Sequence, residues 1–547
     1  MPATIVARDL TKSFGSHLVL DRVSLTLPPG ARIGVVAPNG TGKSTLLRIV
    51  SGELAADAGT VERLPRRATI GHLAQEPERR ADETVAAMLA RRTGVRAAEI
   101  ELDLASLALT GGDHGADDRY ADALDSYLSL GGPDFDARVG GALGDVGLDA
   151  TLLAVPTVDL SGGQAARAAL AALLLSRFDA FLLDEPTNDL DFSGIDRLER
   201  FLLELDAGCV VVSHDRAFLD RVITSVLEID EHAHTAREFR GGWAAYLEER
   251  ATARRHAEER HAEFTTRRAE LRARSQRETE WSQQGVKKVK RSGETDKYIR
   301  HFNTSSSEHV AAQARRTDRM LERLEPVERP WEGWELRLEF TEAPRGGAVV
   351  AQLQRAVVTR GDFTLGPIDL EIAHGERVAI VGANGNGKTT LLRALLGDLP
   401  LESGRRYLGP GVVVGTLDQR RVRFDGDAAL LDAFIDESGL VLSDARSLLA
   451  KFGLASTHVG RTVATLSPGE RTRAELARFV AQGVNCLVLD EPTNHLDLPA
   501  IEQLEQALAG FAGTLLLVTH DRVLLEALTL TRRVEIVAGR IASDEPM

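Results

Sequence analysis

Two glycine-rich loops with the same pattern occur in this chain 345 residues apart, each between an apolar strand and a helix. The first spans residues 37–44 (APNGTGKS) and the second spans residues 382–389 (GANGNGKT). In such a loop the backbone N–H groups surround phosphate oxygens, the lysine reaches the β- and γ-phosphates, and the Ser or Thr hydroxyl binds magnesium. One match can arise by chance. Two matches in the same context indicate an internal duplication and ATP chemistry. We predict ATP contacts from Asn39, Gly40, Thr41, Gly42, Lys43, Ser44 and Thr45, and from Asn384, Gly385, Asn386, Gly387, Lys388, Thr389 and Thr390.

The duplication continues beyond the loops in a fixed register. Gln75 and Gln419 are 344 residues apart, whereas Ser161 and Ser467 are 306 apart, as are two later motif pairs. The first half therefore holds 38 extra residues between its Gln and its Ser. We expect this insertion, at about 81–139, to form a helical arm of two helices joined at 111–113.

Each half carries an apolar strand that ends in Asp-Glu, at 181–185 and 487–491. Alone, such a pair is more often a strand end that meets solvent. Its register with the phosphate loops favours catalysis instead, with the first acid holding magnesium and the second orienting or activating the attacking water. We predict magnesium ligands at Ser44, Gln75, Asp184, Thr389, Gln419 and Asp490, and catalytic acids at Glu185 and Glu491.

Two further motifs recur in the same order. His214 and His520 each follow an apolar strand, and their shared offset favours a catalytic role in contact with a γ-phosphate over a purely structural role. The segments LSGGQ and LSPGE each precede a helix, where free N–H groups and the helix dipole suit phosphate. Pro468 removes one N–H donor from the second copy. The predicted ATP contacts here are Ser161, Gly162, Gly163 and Gln164, with Ser467, Gly469 and Glu470, and Gln75 and Gln419 join them.

Bulk properties narrow the class of protein. A chain of 547 residues accommodates several domains, and no apolar run approaches the roughly 20 residues of a membrane span. The N-terminus shows no secretory pattern, and the two cysteines, Cys209 and Cys486, lie in strand-like apolar runs. We therefore expect a cytoplasmic protein whose cysteines are core residues.

The net charge of −15 argues against general coating of nucleic acid, yet residues 267–300 hold eleven Lys/Arg against five acids. This segment lies in a run, from 243 to about 330, that is rich in Glu, Arg and Ala and poor in Gly. The composition favours a long helix, a break at 282–293 and a second helix at 295–324. A solvated linker is the plain alternative. We assign tentative RNA contacts to the basic tip, Lys287, Lys288, Lys290 and Arg291.

Taken together, these motifs resemble ATP-binding cassette proteins over nearly the whole chain, and the resemblance narrows to the ABC-F subfamily. Residues 491–497 (EPTNHLD) carry its pattern, while the first half has Asp189 in place of His. The resemblance implies an α/β fold of two P-loop ATPase domains, 1–241 and 333–547, joined by a charged helical-hairpin linker at 242–332. It also implies ATP and Mg²⁺ as cofactors, ATP hydrolysis, and a monomer whose two cassettes pair.

Family members bind the ribosome near the tRNA exit site, with the linker tip directed toward the peptidyl-transferase centre. The resemblance therefore implies the 50S subunit, ribosomal RNA and P-site tRNA as partners, without membrane insertion. The chain would act as a translation factor or as an antibiotic-resistance factor that protects the ribosome, and the sequence leaves that choice open. The alternative is the ATPase subunit of a transporter with separate membrane subunits, which would not need the charged linker.

In this family each ATP lies between one phosphate loop and the opposite signature. The first site therefore combines Ala37, where the loop normally has Gly, with Pro468, whereas the second site has both motifs intact. For adenine stacking, Phe14 fits the first cassette, and either Arg360 or Phe363 serves the second. We predict that both sites bind ATP and that the second turns over faster.

Overall fold

The computed structural model describes residues 3–74, 79–112, 114–291, 312–313, 315–321, 323–324, 347–361, 363–417, 426–494 and 496–547. Gln75 and Gln419 lie outside these ranges. The chain divides into two compact units, Met1–Ala244 with Trp334–Met547, and Ala245–Gly333. Both cassettes belong to the first unit, and the linker forms the second.

The first cassette consists of an antiparallel sheet, a larger mainly parallel sheet and surrounding helices. Its strands are β1 Thr4–Phe14, β2 His17–Leu27, β3 Arg32–Val36, β4 Ala58–Leu64, β5 Ile70–Leu73, β6 Ala180–Asp184, β7 Gly208–Val212, β8 Ser225–Ile229 and β9 Ala236–Arg240. Its helices are α1 Lys43–Ser51, α2 Val85–Arg92, α3 Val95–Gly111, α4 Ala116–Ser129, α5 Phe135–Asp145, α6 Gly162–Leu175, α7 Phe192–Glu204 and α8 Arg216–Val222.

Helix α9, Gly242–Arg291, lies in the linker unit except for its first three residues, and the unit also contains helical residues at 312–313 and 315–321. The expected break at 282–293 is wrong as far as Arg291, because the helix continues through Ser282–Arg291 without interruption. This stretch contains one Gly and no Pro, so no residue there forces the helix to end. Its 50 residues correspond to roughly 75 Å of helix. The backbone of Lys287, Lys288, Lys290 and Arg291 is helical.

The second cassette repeats the first. Its strands are β10 Val349–Arg360, β11 Phe363–Ala373, β12 Arg377–Val381, β13 Ser403–Leu408, β14 Val414–Leu417, β15 Cys486–Asp490, β16 Thr514–Val518, β17 Arg532–Val537 and β18 Arg540–Pro546. Its helices are α10 Lys388–Leu396, α11 Leu430–Ser438, α12 Leu442–Lys451, α13 Ser456–Val459, α14 Pro468–Ala481, α15 Leu498–Ala509 and α16 Arg522–Ala527.

The large sheets have equivalent strand orders, β5-β6-β7-β3-β8-β9 and β14-β15-β16-β12-β17-β18. All pairs are parallel except the last in each sheet. Central strands such as β7 are buried along their whole length, as expected for a parallel sheet covered on both faces. Both cysteines are buried in these sheets, which confirms their assignment to the core. The carboxyl ends of β3 and β6 lead into the phosphate loop and the Asp-Glu pair, so the topology places them at one edge.

The arm expected at 81–139 as two helices consists of four, α2 to α5, so the expected number of helices is wrong. Helices α3 and α4 pack against each other, and α3 ends at Gly112, whose φ of 75° is left-handed. The second cassette has no such pair between α11 and α12, which accounts for the register change. No helix within the described ranges is long and apolar enough to cross a membrane.

Candidate nucleotide sites at the cassette interface

Both phosphate loops adopt a backbone that requires glycine at two positions. Gly40 and Gly42 have φ of 84° and 100°, and Gly385 and Gly387 have 86° and 98°. Gly42 and Gly387 are the N-caps of α1 and α10, so free N–H groups of each helix face the loop. Side chains elsewhere in the loops brace them: Thr41 Oγ1 donates to Pro38 O at 2.8 Å, and Asn386 Nδ2 donates to Ile536 O at 3.0 Å.

The first residue of each loop differs in conformation as well as in identity. Gly382 has φ 148°, and a Cβ there would lie 2.3 Å from Ile536 O. Ala37 is buried and is not among the residues with positive φ. The alanine is therefore accommodated by a different local backbone, and the departure from the family pattern does not disrupt the first loop.

Each loop lysine curls into its own loop. Lys43 Nζ donates to Ala37 O at 2.8 Å and Pro38 O at 3.1 Å, and Lys388 Nζ donates to Gly382 O at 2.7 Å. Burial lowers the pKa of both lysines, against the opposing effect of nearby carboxylates. These carboxylates include Glu185 for the first lysine and Glu491 for the second. The lysines and acids predicted from the sequence are therefore brought together within each cassette.

The hydroxyl and acid predicted to bind metal also meet. Thr389 Oγ1 donates to Asp490 Oδ2 at 2.6 Å, and Ser44 hydrogen-bonds Asp184. Burial raises the pKa of Asp184, and this hydrogen bond opposes the shift. Each pair places hard oxygen atoms beside a phosphate loop, which fits a divalent cation such as magnesium.

The second acid of each pair is strained, and Glu185 is buried whereas Glu491 is half-buried. Glu185 and Glu491 have φ of 50° and 49°, an uncommon conformation for a non-glycine residue that often marks functional positions. Burial raises the pKa of Glu185 to about 7 and that of Glu491 to about 8. Within the described part of the protein, no well-aligned hydrogen bond reaches their Oε1 atoms. A histidine Nε2 lies 3.1 Å from Oε1 of Glu185 and 3.5 Å from Oε1 of Glu491. Each Oε1 is therefore a buried acceptor available to a bound ligand.

The two histidines lie beside these acids but make different contacts. His214 Nε2 is 3.1 Å from Glu185 Oε1. His520 Nε2 is 3.0 Å from Lys388 Nζ and 3.2 Å from Asn384 Oδ1. Burial, with a smaller contribution from the neighbouring lysine, lowers the pKa of each histidine to about 3. Both imidazoles are therefore neutral at physiological pH.

The signature helices begin with matching capping boxes. Ser161 Oγ accepts from Gln164 N at 3.3 Å, and Ser467 Oγ accepts from Glu470 N at 3.2 Å. The side chains of Gln164 and Glu470 turn back to the backbone N–H of these serines, so both residues shape the helix start. Pro468 occupies the first helical turn, where its missing N–H costs no internal hydrogen bond.

The second site is formed by both cassettes. A cavity of about 390 Å³ is lined by the first signature, the second phosphate loop and the acid and histidine of both cassettes. A Cβ at Gly163 would lie 3.3 Å from Asn384 Cβ, so the signature and loop are in close contact. The lining includes Ser161, Gly162, Gly163, Asn384, Gly385, Gly387, Lys388, Thr389, Thr390, Glu491 and His520.

Two aspartates that sequence analysis did not assign to the sites cross between the cassettes. Asp191 Oδ2 accepts from Asn384 N, and Asp497 Oδ2 accepts from Asn39 N, both at 3.1 Å. Their Oδ1 atoms cap α7 and α15. For the first site, Asp497 provides a cross-cassette contact to the phosphate loop. The 306-residue offset between the two aspartates is the sequence pattern that would have identified them.

On the adenine side, the structure distinguishes the two candidates in the second cassette. Arg360 and Phe363 are paired across a hairpin, as Phe14 and His17 are in the first cassette. Phe363 lines the second-site cavity, and its ring is 2.7 Å from where a Cβ on Gly387 would lie. Phe14 is half exposed, with Lys12 Nζ 5.7 Å from its ring centroid. The aromatic ring available for adenine stacking therefore lies on the first strand of the hairpin in the first cassette and on the second strand in the second cassette.

Comparisons with known proteins agree with this geometry. A family model described as "ABC transporter" matches residues 20–188 and 365–494. The tylosin resistance ATP-binding protein TlrC of Streptomyces fradiae is 35% identical over 546 residues, covering 97% of each chain. The energy-dependent translational throttle protein EttA of Escherichia coli (strain K12) is 32% identical over 537 residues, covering 93% of this chain and 87% of that protein.

Solved structures share the tandem architecture. A structure of "RNase-L Inhibitor" superposes with a TM-score of 0.57 at 19% identity, covering 99% of this chain and 91% of that one. An archaeal ribosome recycling factor, aABCE1, solved with a ribosomal stalk protein, gives a TM-score of 0.54 at 19% identity. That likeness covers 98% of this chain and 90% of the other. At this identity the likeness concerns the fold.

Proposed function

Because this chain belongs to the ABC-F subfamily of ATP-binding cassette proteins and is an ATPase, we propose that it acts on the ribosome. It would bind near the tRNA exit site of the 50S subunit, contact ribosomal RNA and P-site tRNA, and remodel or protect the peptidyl-transferase region through its linker tip. The observation that carries this proposal is the 50-residue helix between the two cassettes, in a chain that resembles EttA and TlrC over nearly its full length. A ribosomal target implies action in the cytoplasm.

The proposed hydrolysis uses the same residue types in both sites. Lys43 or Lys388 would leave its loop carbonyls to contact the β- and γ-phosphates. The Ser44–Asp184 and Thr389–Asp490 pairs would hold Mg²⁺, which supplies charge neutralisation at the phosphates when bound. Among the described residues, no cluster of three or more His, Cys, Asp or Glu could bind a metal, so phosphate oxygens would complete its coordination. Gln75 and Gln419 stay predicted metal and ATP contacts.

The acids and histidines would then act on the attacking water. Glu185 and Glu491, with pKa values raised by burial, suit a group that accepts a proton near neutral pH. The neutral His214 and His520 can donate a hydrogen bond to a γ-phosphate oxygen without adding charge. The helix starts at Ser161 and Ser467 would face the phosphate from the opposite cassette.

We propose that both sites bind ATP and that the second turns over faster. The second site has the intact loop start at Gly382, the aromatic ring of Phe363 at its edge and a cavity lined by Ser161–Gly163 of the first signature. The first site has Pro468 in its opposing signature. ATP binding would favour the paired cassettes, and this state must bind the ribosome better than the separated one for hydrolysis to drive release.

Within the ABC-F family we propose the ribosome-protection role, supported by the likeness to a protein named for tylosin resistance. The basic helix end at Lys287–Arg291 would contact RNA phosphates. Expression in a susceptible host, followed by measurement of growth inhibition by tylosin and related ribosome-targeting drugs, tests this role. Unchanged susceptibility to every drug tested would favour a translation-factor role instead.

The ribosomal proposal is tested by sedimentation of a Glu185→Gln/Glu491→Gln double mutant with 70S ribosomes. We expect co-sedimentation with ATP and little without nucleotide, because the trapped paired state would hold the ribosome. A double mutant that binds ATP normally but does not co-sediment would contradict the proposal and favour a transport ATPase. The quadruple substitution of Lys287, Lys288, Lys290 and Arg291 by Gln then measures the contribution of the tip.

A further inference from the structure

Two arginines, one from each cassette, contact carboxylates across the cassette interface outside the nucleotide sites. Arg216 of the first cassette donates to both carboxylate oxygens of Glu505 in the second, with Nη1 to Oε2 at 3.2 Å. Arg522 of the second cassette donates to Glu199 Oε1 at 2.9 Å and to Asp196 Oδ1 at 2.7 Å in the first. Exposure of the Arg216 and Glu505 side chains is 15% each, and that of Glu199 is 7%. Charged groups so far removed from water are costly unless paired.

The two contacts are copies of each other. Arg216 and Arg522 are 306 residues apart, and so are Glu199 and Glu505. The arginine of each half therefore pairs with the glutamate of the other half, in the same register as the catalytic motifs. A pair of sequence positions kept in both halves and joined reciprocally is the arrangement that a two-fold axis produces. It indicates a role shared by both ATP sites.

Each arginine lies two residues after the histidine of its own cassette. Asp215 and Asp521 lie between the histidine and the arginine, and their side chains accept from Phe218 N at 3.0 Å and Leu524 N at 2.9 Å. These caps fix the turn from the γ-phosphate-sensing residue into α8 or α16. Displacement of the arginine would therefore displace the segment that carries the histidine.

Each glutamate that pairs with an arginine lies on a helix whose N-cap is an aspartate of the glutamate's own cassette. Glu199 lies on α7, which is capped by Asp191, and Asp191 accepts from Asn384 in the second phosphate loop. Glu505 lies on α15, which is capped by Asp497, and Asp497 accepts from Asn39 in the first loop. Each arginine thus holds the helix whose start contacts the phosphate loop of the arginine's own cassette.

We propose that Arg216 and Arg522 are positioning residues for ATP hydrolysis, each of which clamps the opposite cassette's capping helix against its own nucleotide site. Loss of Arg522 would then slow turnover at the second site, and loss of Arg216 would slow turnover at the first. This role concerns the ATPase reaction and does not depend on what the protein binds.

The two clamps are not equal. Phe192, the first residue of α7, lies edge-on to His520 with ring centroids 5.1 Å apart, and the Arg522 guanidinium is 5.8 Å from the Phe192 ring centroid. The counterpart of Phe192 at the 306-residue offset is Leu498, which has no ring. Arg522 therefore reaches His520 through the ring of Phe192, whereas Leu498 provides no such ring beside Arg216.

The test uses single-site backgrounds, in which Glu185→Gln leaves the second site active and Glu491→Gln leaves the first. In the Glu185→Gln background, Arg522→Gln is expected to lower kcat roughly tenfold, because a largely buried charge pair is broken. The same substitution in the Glu491→Gln background is expected to have a clearly smaller effect. Arg221→Gln is the matched control, since Arg221 also pairs with Glu199, at 3.0 Å, but within its own cassette. Arg221 has Ala527 as its counterpart, and its substitution should leave kcat unchanged.

A double-mutant cycle on the one-to-one pair separates positioning from general destabilisation. In the Glu491→Gln background, Arg216→Gln, Glu505→Gln and the double substitution should lower kcat by similar factors, because one interaction is removed in every case. Multiplicative losses would overturn the proposal. So would equal losses at both sites from Arg522→Gln, or an Arg221→Gln effect as large as that of Arg522→Gln. Thermal melting of each variant confirms that the cassettes are folded when kcat is compared.

Discussion

The two cassettes share a strand order and a motif order, yet they reach the same phosphate-loop shape by different means. The second loop begins at Gly382, with φ 148° and the Ile536 carbonyl where a Cβ would lie. The first begins at Ala37, which adopts no positive φ. The difference teaches that a departure from a family motif is informative only together with its backbone. The alanine fits the backbone of the first loop, and the two sites also differ in their aromatic contacts and signatures.

The sharpest test of the comparison is removal of each catalytic acid. We expect Glu491→Gln to abolish most of the total ATP turnover, by about a hundredfold or more at its own site. Glu185→Gln should remove the smaller share, because the first site opposes a proline-containing signature. Steady-state phosphate release by the two single mutants and the double mutant measures both shares. Equal losses from the two single mutants would break the proposed asymmetry.

The residues that begin the two phosphate loops, Ala37 and Gly382, can each be replaced by the residue found in the other loop. Gly382→Ala places a Cβ 2.3 Å from a carbonyl oxygen in a backbone conformation costing about 1–3 kcal/mol for a non-glycine residue. We expect the KM for ATP at the second site to rise roughly tenfold in the Glu185→Gln background. Ala37→Gly is the matched control and should change the KM of the first site little. If Gly382→Ala were as mild as Ala37→Gly, the loops would not differ as described.

A pH series compares the aspartates next to the two histidines. Burial, with the nearby Asp215 carboxylate adding to it, raises the pKa of Asp521 to about 6. An acid with a raised folded-state pKa stabilises the fold below its unfolded pKa, and this stabilisation is lost as pH rises to about 6. Asp521→Asn keeps the cap and removes the charge. At pH 8 it should therefore increase the free energy of unfolding by about 1–2 kcal/mol and raise the melting temperature.

This gain should shrink as pH falls toward 4, where Asp521 itself is protonated. Asp215→Asn should behave in the same direction, because burial also raises the pKa of Asp215. Melting curves of wild type and both variants from pH 4 to 8 provide the comparison. A shift that does not vary with pH would show that the effect is not electrostatic.

The smallest expected effect concerns adenine. Phe363→Ala should weaken ATP binding at the second site by about 1 kcal/mol, the usual contribution of one aromatic contact. Phe14→Ala should do the same at the first site, whereas His17→Ala, at the position equivalent to Phe363, should not. Nucleotide titrations in the single-site backgrounds measure each change. A larger loss from Arg360→Ala than from Phe363→Ala would reassign the stacking residue in the second cassette.

Most elements of the two sites could be predicted from local motifs, because a phosphate loop or a capping box determines its own backbone conformation within a few residues. The pairs Lys388–Glu491 and Thr389–Asp490 follow from strand ends that meet at one sheet edge. The 306-residue offset marks Asp191 and Asp497 as equivalent positions, but the contact of Asp191 with Asn384 depends on how two domains dock, which spacing does not encode. The expected break at 282–293 is wrong as far as Arg291, because the stretch has no proline to end α9 and the helix continues through it.

The reciprocal arginine–glutamate pairs have a consequence for how such a chain arises. A single ancestral cassette with one arginine and one glutamate at these positions would have met a second copy of itself through two identical pairs. Joining the copies in one polypeptide replaces dependence on protein concentration by a fixed tether. Once tethered, the halves no longer need to be self-complementary, so Phe192 and Leu498, or Ala37 and Gly382, are free to diverge while the shared contacts persist.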